Sequence, residues 1–408
     1  MSDKRKTVGL MTMSNVINFG SALQTYATVK SVEKAGVDCV LIDYQYPSLW
    51  HINNAICDEN KYNHKKKIIA WVKKVLIFFR LLFLARAIRI LINHPKAARI
   101  KVKFQAFLCE IPSTPISYNR KSILKNPPDF DIYMTGSDQT WNPRYLHTDY
   151  SFLLNFVSDD APKIAYAASF GTKKMLPEYR EDYVRFLKRY DRISVRESSG
   201  VPLVKELTGK YAVHIPDPTL MLDKREWKEK IKNKLTLPEK FIFCYILDYV
   251  FSPYPQIVEL VEHLAKISGL PVVVSGAGAV KITENCTQLT NDIGPEGFLE
   301  CYDKASFVVT TSFHGTAFSV NFEKDFFTVL NPNASNDDRV KSFLESVGLS
   351  NRGLILSQTD ISAITFDDMK TVHTESREVL LKMRQFSNDF LIEALTFAAE
   401  KSGRDENG

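Results

Sequence analysis

Short apolar runs alternate along most of the chain with longer segments of helical period. That alternation predicts parallel strands joined by helices and covered on both faces. Thr7–Met13 reads as a first strand, Asn18-Phe19-Gly20-Ser21 as the loop after it, Ala22–Lys34 as a helix and Asp38–Tyr44 as a second strand. Strands are predicted again at Ile132–Thr135, Lys163–Ala167 and Arg192–Val195. Pro216-Asp217-Pro218 excludes helix, and a charged stretch, Asp223–Lys234, follows it, so a domain boundary is placed there.

The second half repeats the pattern, with strands at Phe241–Leu247, Pro271–Ser275, Phe307–Thr310 and Phe326–Leu330. Helices are expected at Gln256–Ile267, Glu296–Tyr302, from His314 onward, and at Asp337–Ser346. The last helix, Glu375–Lys401, spaces Leu380, Met383, Phe386, Phe390, Ala394 and Phe397 as one apolar face. The expected architecture is α/β, with two Rossmann-like domains facing a cleft. Residues 1–222 form the first domain and 223–360 the second; 361–408 supply a helix across both and a frayed tail.

One segment, at about 50–110, breaks the pattern and reads as a basic, hydrophobic helical insert in the first domain. Between Lys61 and Lys103 stand thirteen Lys or Arg and no Asp or Glu, so the rest of the chain is net negative although the whole carries +6. Its uncharged runs end at Lys73-Lys74, Arg80 and Arg86, too soon for a spanning helix of about 20 apolar residues. Two readings remain: an interfacial helix on anionic lipid, or a buried helix whose cations snorkel outward. The basic residues alternate with mainly aliphatic runs, not spaced stacking aromatics, which disfavours nucleic acid.

Composition adds limits. At 408 residues, 45% hydrophobic, the chain can fill more than one core. Its six cysteines include no Cys-x-x-Cys pair, and no metal or disulfide framework is predicted. The apolar stretch Val8–Met11 is too short for a signal peptide, so a reduced, cytoplasmic protein is expected.

In open α/β sheets, ligands bind beyond the carboxyl ends of the strands. Three polar clusters fall there: Asn18–Ser21, Gly136-Ser137-Asp138-Gln139-Thr140-Trp141-Asn142, and Thr311-Ser312-Phe313-His314-Gly315-Thr316. Ser194-Val195-Arg196-Glu197-Ser198 follows another strand. Arg196 offers a fork for a carboxylate or phosphate, or a salt bridge to Glu197. His314, beside Gly315 at a strand-to-helix switch, is a structural histidine or a proton donor. Asp138 is a base or a helix cap.

Taken in order, these motifs resemble the polysaccharide pyruvyl transferase family. Carrying the resemblance are Asn18-Phe19-Gly20-Ser21 with Leu23-Gln24, Gly136-Ser137-Asp138-Gln139 with Trp141-Asn142, and Tyr166-Ala167-Ala168-Ser169-Phe170-Gly171. Ser194-Val195-Arg196-Glu197, Asp217-Pro218-Thr219 and Thr311–Phe318 complete the set, which covers about residues 7 to 352 apart from the insert. A departure is Asn336-Asp337-Asp338-Arg339, where relatives often show Asn-Ser-Arg; Arg339 remains an expected ligand.

The resemblance implies a GT-B-like fold and transfer of pyruvate from phosphoenolpyruvate to two hydroxyls of a sugar, as a ketal, with no further cofactor. It implies His314 as general acid and phosphate partner, Arg196 as anion clamp and Asp138 as base. Asn18, Gly20, Ser21, Gln24, Ser137, Gln139, Ser312, Gly315, Thr316 and Arg339 are the implied substrate contacts. Together with the basic segment, it points to a polyprenyl-diphosphate-linked acceptor for a surface polysaccharide, met at the inner face of the cytoplasmic membrane. The competing functions are a GT-B glycosyltransferase using a nucleotide sugar and a non-catalytic glycolipid-binding assembly protein.

Overall fold

The computed structural model describes residues 5–45, 99–248, 251–276, 286–288, 293–332 and 339–404. Most of the basic segment, with its expected helix and membrane contact, lies outside the described residues, as do Asn336, Asp337 and Asp338. Among the described residues no helix is long and apolar enough to cross a membrane.

Twelve described strands form two parallel sheets of six. The first sheet contains β1 (Thr7–Met11), β2 (Asp38–Leu41), β3 (Ile132–Thr135), β4 (Lys163–Ala168), β5 (Arg192–Val195) and β6 (Val213–His214), in the order β2-β1-β3-β4-β5-β6. The second contains β7 (Ile242–Ile246), β8 (Val272–Gly276), β9 (Thr287–Gln288), β10 (Phe307–Thr310), β11 (Asp325–Val329) and β12 (Gly353–Leu354), in the order β12-β11-β10-β7-β8-β9. Both orders are doubly wound, reversing between β1 and β3 in one sheet and between β7 and β10 in the other. The chain is α/β with two Rossmann-like halves, the GT-B-like arrangement expected of it. β3, β4, β7 and β10 are buried along their whole length, which explains why they read as continuous apolar runs.

The first helix, α1 (Phe19–Lys34), starts earlier than the sequence suggests: Phe19, Gly20 and Ser21 belong to its first turn, and Asn18 caps it by accepting from the Ser21 amide. Thirteen of its sixteen residues are buried, as befits a helix enclosed on all sides. The Thr25, Thr28 and Ser31 hydroxyls donate back to carbonyls one turn earlier, so no polar hydrogen there is stranded.

α1 lies between its own sheet, with the Pro218–Leu220 turn, and the other domain. Phe19 stacks on Phe298 of α2 (Pro295–Lys304), with ring centroids 4.6 Å apart. Tyr26 meets Trp227, and Trp227 meets Phe318 of α3 (Phe313–Asn321). One apolar cluster therefore runs from Val8 and Leu10 through this seam to Val308 and Phe326. Truncating one such ring to Ala costs about 3–5 kcal/mol, and a seam this apolar ties the domains together. The final helix, α4 (Thr374–Arg404), reaches from Glu323, which Arg377 contacts, to Asp191 at the foot of β5, which Lys401 contacts.

Candidate functional site

The carboxyl ends of both sheets deliver their side chains to one place. β3 leads into Asp138, β5 into Arg196 and Glu197, β6 into Asp217, and β10 into His314. Asp138 has φ +68°, a left-handed conformation that Asp tolerates better than most residues. Two residues before it, Gly136 has φ +117°, and a Cβ there would meet the Tyr166 carbonyl oxygen at 2.0 Å. Only glycine fits that turn, and the turn aims Asp138 across the sheet.

Arg196 stands at the centre, its side chain 1% exposed. Its Nη1 donates to Asp217 Oδ2 at 2.7 Å and lies 3.5 Å from Asp138 Oδ1, and its Nε is 3.4 Å from Glu197 Oε1. The Phe313 ring covers the guanidinium at 5.1 Å. Burial alone would lower its pKa; the three carboxylates outweigh this and raise it, locking the charge on. Arg196, the expected anion clamp, is paired with protein carboxylates through Nη1 and Nε, while its Nη2 is buried without a hydrogen-bond partner. It organises the site as the centre of an ion-pair network.

The expected base, Asp138, is held by neighbours on both of its oxygens. Asp138 Oδ2 accepts from Ser21 Oγ at 2.7 Å, and Oδ1 from the Gln139 amide at 2.9 Å. Burial pushes its pKa up, but Arg196, His314 and the Ser21 hydroxyl more than offset that and hold it below the ordinary aspartate value. A carboxylate kept ionised so firmly is a weak proton acceptor.

Asp217 carries a functional position that the sequence reading did not include among its site residues. Its Oδ1 accepts from the Thr219 amide and hydroxyl, while Oδ2, already paired with Arg196, lies 3.4 Å from His314 Nε2. That separation is an ion-pair distance without hydrogen-bond alignment, and Nε2 accordingly has no hydrogen-bond partner. Burial would raise the Asp217 pKa; His314, Arg196 and the Thr219 amide overturn this and hold it well below the usual carboxylate range. Glu197, also missed, accepts from Ser169 Oγ at 2.5 Å. The available signal was motif membership: Asp217-Pro218-Thr219 and Ser169 both stand in the family-like segments.

His314 is the second residue of α3, whose N-cap Ser312 accepts from the Gly315 amide. Its ring lies against α1 of the other domain, where a Cβ on Gly20 would come within 2.0 Å of Nδ1. With 12% of its side chain exposed, it is a half-sheltered imidazole between a fixed carboxylate and a helix N-terminus.

The remaining expected contacts divide into two groups. Asn18, Gly20 and Ser21 border His314 and Asp138 as one turn of α1. Ser312 and Gly315 shape the start of α3, and Arg339, opening the helix Arg339–Ser346, lies within electrostatic reach of Arg196. Gln139 accepts from Asn142 Nδ2 at 2.6 Å. Gln24, Ser137 and Thr316 are buried and bonded internally. Gln24 Nε2 donates to Thr12 Oγ1, Ser137 Oγ to the Ala167 carbonyl, and Thr316 Oγ1 to the Ser312 carbonyl. They support the site from beneath.

Comparison with known proteins adds the following. A family profile described as "Polysaccharide pyruvyl transferase" matches residues 18–333, which include every residue of the network above. No curated protein sequence matches the chain. Among solved structures, a Listeria monocytogenes protein described as a candidate UDP-N-acetylglucosamine 2-epimerase shares 10% identity at TM-score 0.49, over 95% of this chain and 90% of its own. A Rickettsia africae glycosyltransferase shares 12% identity at TM-score 0.45, over 98% and 99%. A Methanocaldococcus jannaschii UDP-GlcNAc 2-epimerase in complex with UDP-GlcNAc and UDP shares 11% at 0.44, over 92% and 99%.

Proposed function

The chain belongs to the polysaccharide pyruvyl transferase family, and on that premise we propose that it transfers pyruvate from phosphoenolpyruvate to two hydroxyls of one sugar, closing a ketal. The observation that carries this reading is His314: a partly exposed imidazole facing Asp217 and resting on the first turn of α1. An imidazole oriented by a carboxylate and open on one side is a group that can carry and deliver a proton.

In the reaction, His314 delivers a proton to the methylene carbon of phosphoenolpyruvate, making the methyl group and leaving an oxocarbenium centre. The first sugar hydroxyl adds there and loses its proton. Phosphate then departs, and the second hydroxyl adds to the regenerated cation and loses its proton. Of the two hydroxyl protons, one restores His314 and the other leaves with phosphate, so the reaction balances. Asp217 holds the imidazole in orientation, and Asp138, Glu197 and Asp217 stand near the cationic centre as it forms. The uncommitted amides at the α1 and α3 N-termini, with Arg339, are suited to the substrate's anionic groups.

The acceptor in this reading is a polyprenyl-diphosphate-linked sugar, a precursor of a surface polysaccharide held at the inner membrane face. Its support is the acid-free segment Lys61–Lys103, whose cations and apolar runs suit an anionic bilayer. The test is incubation with phosphoenolpyruvate and a panel of lipid-linked mono- and disaccharides, followed by mass spectrometry. A pyruvyl ketal on one acceptor with one phosphate released is the expected result. Added hexose from a nucleotide sugar would instead make the protein a glycosyltransferase.

A further inference from the structure

Beneath the site, a chain of hydrogen bonds runs from the last helix to the acid. We propose that Asn321 and Arg384 are positioning residues that set Asp217 against His314. The proposal rests on the pyruvyl-transfer reading for its activity measurement alone.

Asn321 ends α3, the helix that carries His314 at its other end. Its Nδ2 donates to the Thr219 and Leu222 carbonyls at 3.1 and 2.9 Å, while its Oδ1 accepts from Arg384 Nη2 at 2.9 Å. Arg384, on α4, also donates through Nε to the Leu220 carbonyl at 2.7 Å. Every polar atom of the Asn321 amide is therefore engaged, and the Arg384 donor fixes which way the amide points. Trp227 Nε1 donates to the same Thr219 carbonyl at 2.9 Å.

The turn gripped in this way is the one that holds Asp217. Thr219 donates its amide and hydroxyl to Asp217 Oδ1, and the Leu220 amide donates to the Asp217 carbonyl. A single helix thus fixes both partners: His314 rides on its first turn, and the Asp217 turn is fastened to its last residue. The helix is nine residues long and internally rigid. The distance between the proton donor and its carboxylate is then set by that helix and one amide as well as by the contacts of Arg196 and Gly20 at the site itself. Arg384 is half-buried, and an apolar side chain in its place leaves the amide free to turn and the Leu220 carbonyl without its donor.

The test compares Arg384→Met, Arg384→Lys, Asn321→Ala and Asn321→Asp with the parent. Arg377→Met serves as control, since Arg377 lies on the same helix and pairs with Glu323 at the surface. The ring nitrogens of His314, assigned by loss in His314→Gln, are followed in long-range proton–nitrogen spectra, and kcat is measured alone and in combination with Asp217→Asn. Arg384→Met and Asn321→Ala are expected to shift the His314 signals and to lower kcat between about 10-fold and 100-fold with little change in KM for phosphoenolpyruvate. In the Asp217→Asn background they should add nothing further, because they act through that carboxylate. Arg384→Lys, keeping one of two donors, should recover part of the loss, and Arg377→Met should change neither quantity.

Unmoved His314 signals, or losses that multiply with Asp217→Asn, overturn the proposal and leave Arg384 a fastener of α4. Where Arg384→Met does not fold, Arg384→Lys and Asn321→Asp carry the same two measurements. Shifted His314 signals in a parent that transfers no pyruvate would leave the positioning standing and overturn the pyruvyl reading.

Discussion

Gly20 and His314 come from different domains and lie in direct contact: a methyl on Gly20 would fall 2.0 Å from Nδ1 and 2.3 Å from Cγ of the imidazole. With Asp217 on the other side at 3.4 Å, the ring is held between the first turn of α1 and the carboxylate of the turn that follows β6. The aromatic seam behind it, Phe19 on Phe298, keeps the two halves at that separation.

Gly20→Ala is therefore expected to displace the ring and to lower kcat by about 10²-fold, the scale of a 1 Å misplacement. Stability should fall by about 1–3 kcal/mol, since the methyl overpacks a ring held on both sides and this outweighs the roughly 0.5–1 kcal/mol by which Ala is the better helix former. Thermal melting and steady-state kinetics on the same preparation check this. Unimpaired kcat would mean that the ring is not fixed by this contact.

Asp217→Asn should weaken folding at neutral pH by about 3–5 kcal/mol, the cost of breaking a buried ion pair, and should flatten the acid side of the stability curve. The folded pKa of Asp217 lies below its unfolded value of about 3.9. The unfolded state therefore binds more protons as pH falls, and the stabilisation is present above about pH 4 and lost below it. Urea unfolding from pH 3 to 7 measures the slope in both proteins. An equal slope would show that Asp217 is not held ionised by its neighbours.

Arg196→Lys is expected to cost on the order of 3 kcal/mol of stability, because an ammonium meets one carboxylate well and a guanidinium meets three. The loss should be visible in the melting temperature before any change in KM for phosphoenolpyruvate. A preserved melting temperature with a raised KM would place the guanidinium in contact with the substrate.

Replacing Lys73, Lys74, Arg80 and Arg86 by Gln should weaken binding to anionic liposomes steeply, at roughly 1 kcal/mol per near-surface charge. Activity on a water-soluble acceptor analogue should persist while activity on the lipid-linked sugar falls. Liposome sedimentation with both assays decides it; equal loss on both acceptors returns the segment to a buried helix.

Much of this fold was legible in the apolar pattern. β3 and β10 were read with their observed bounds, since buried parallel strands leave continuous apolar runs bounded by polar turns. β6, β9 and β12 escaped because strands of two residues carry no period. The site was legible as three polar clusters after strands, but its wiring was not. Ser21 and Asp138 bond across 117 positions of sequence, and Arg196 and Asp217 across 21. No local pattern shows that Arg196 faces three carboxylates; the sequence offered a substrate clamp or a salt bridge to Glu197 or a neighbouring acid, and the structure contains that salt bridge. Asp217 read as a boundary residue and a motif member but was given no role; the two prolines that flank it border the turn that presents its carboxylate to His314.

The central claim is that His314 protonates the methylene carbon of phosphoenolpyruvate. Transfer carried out in D2O and followed by NMR of the product methyl group tests it most directly. The expected result is a ketal whose methyl carries one solvent deuterium in the parent protein, and a product rate lowered by at least about 10²-fold in His314→Gln. A ketal methyl without deuterium, or a His314→Gln variant that forms the deuterated ketal at the parent's rate, would contradict it.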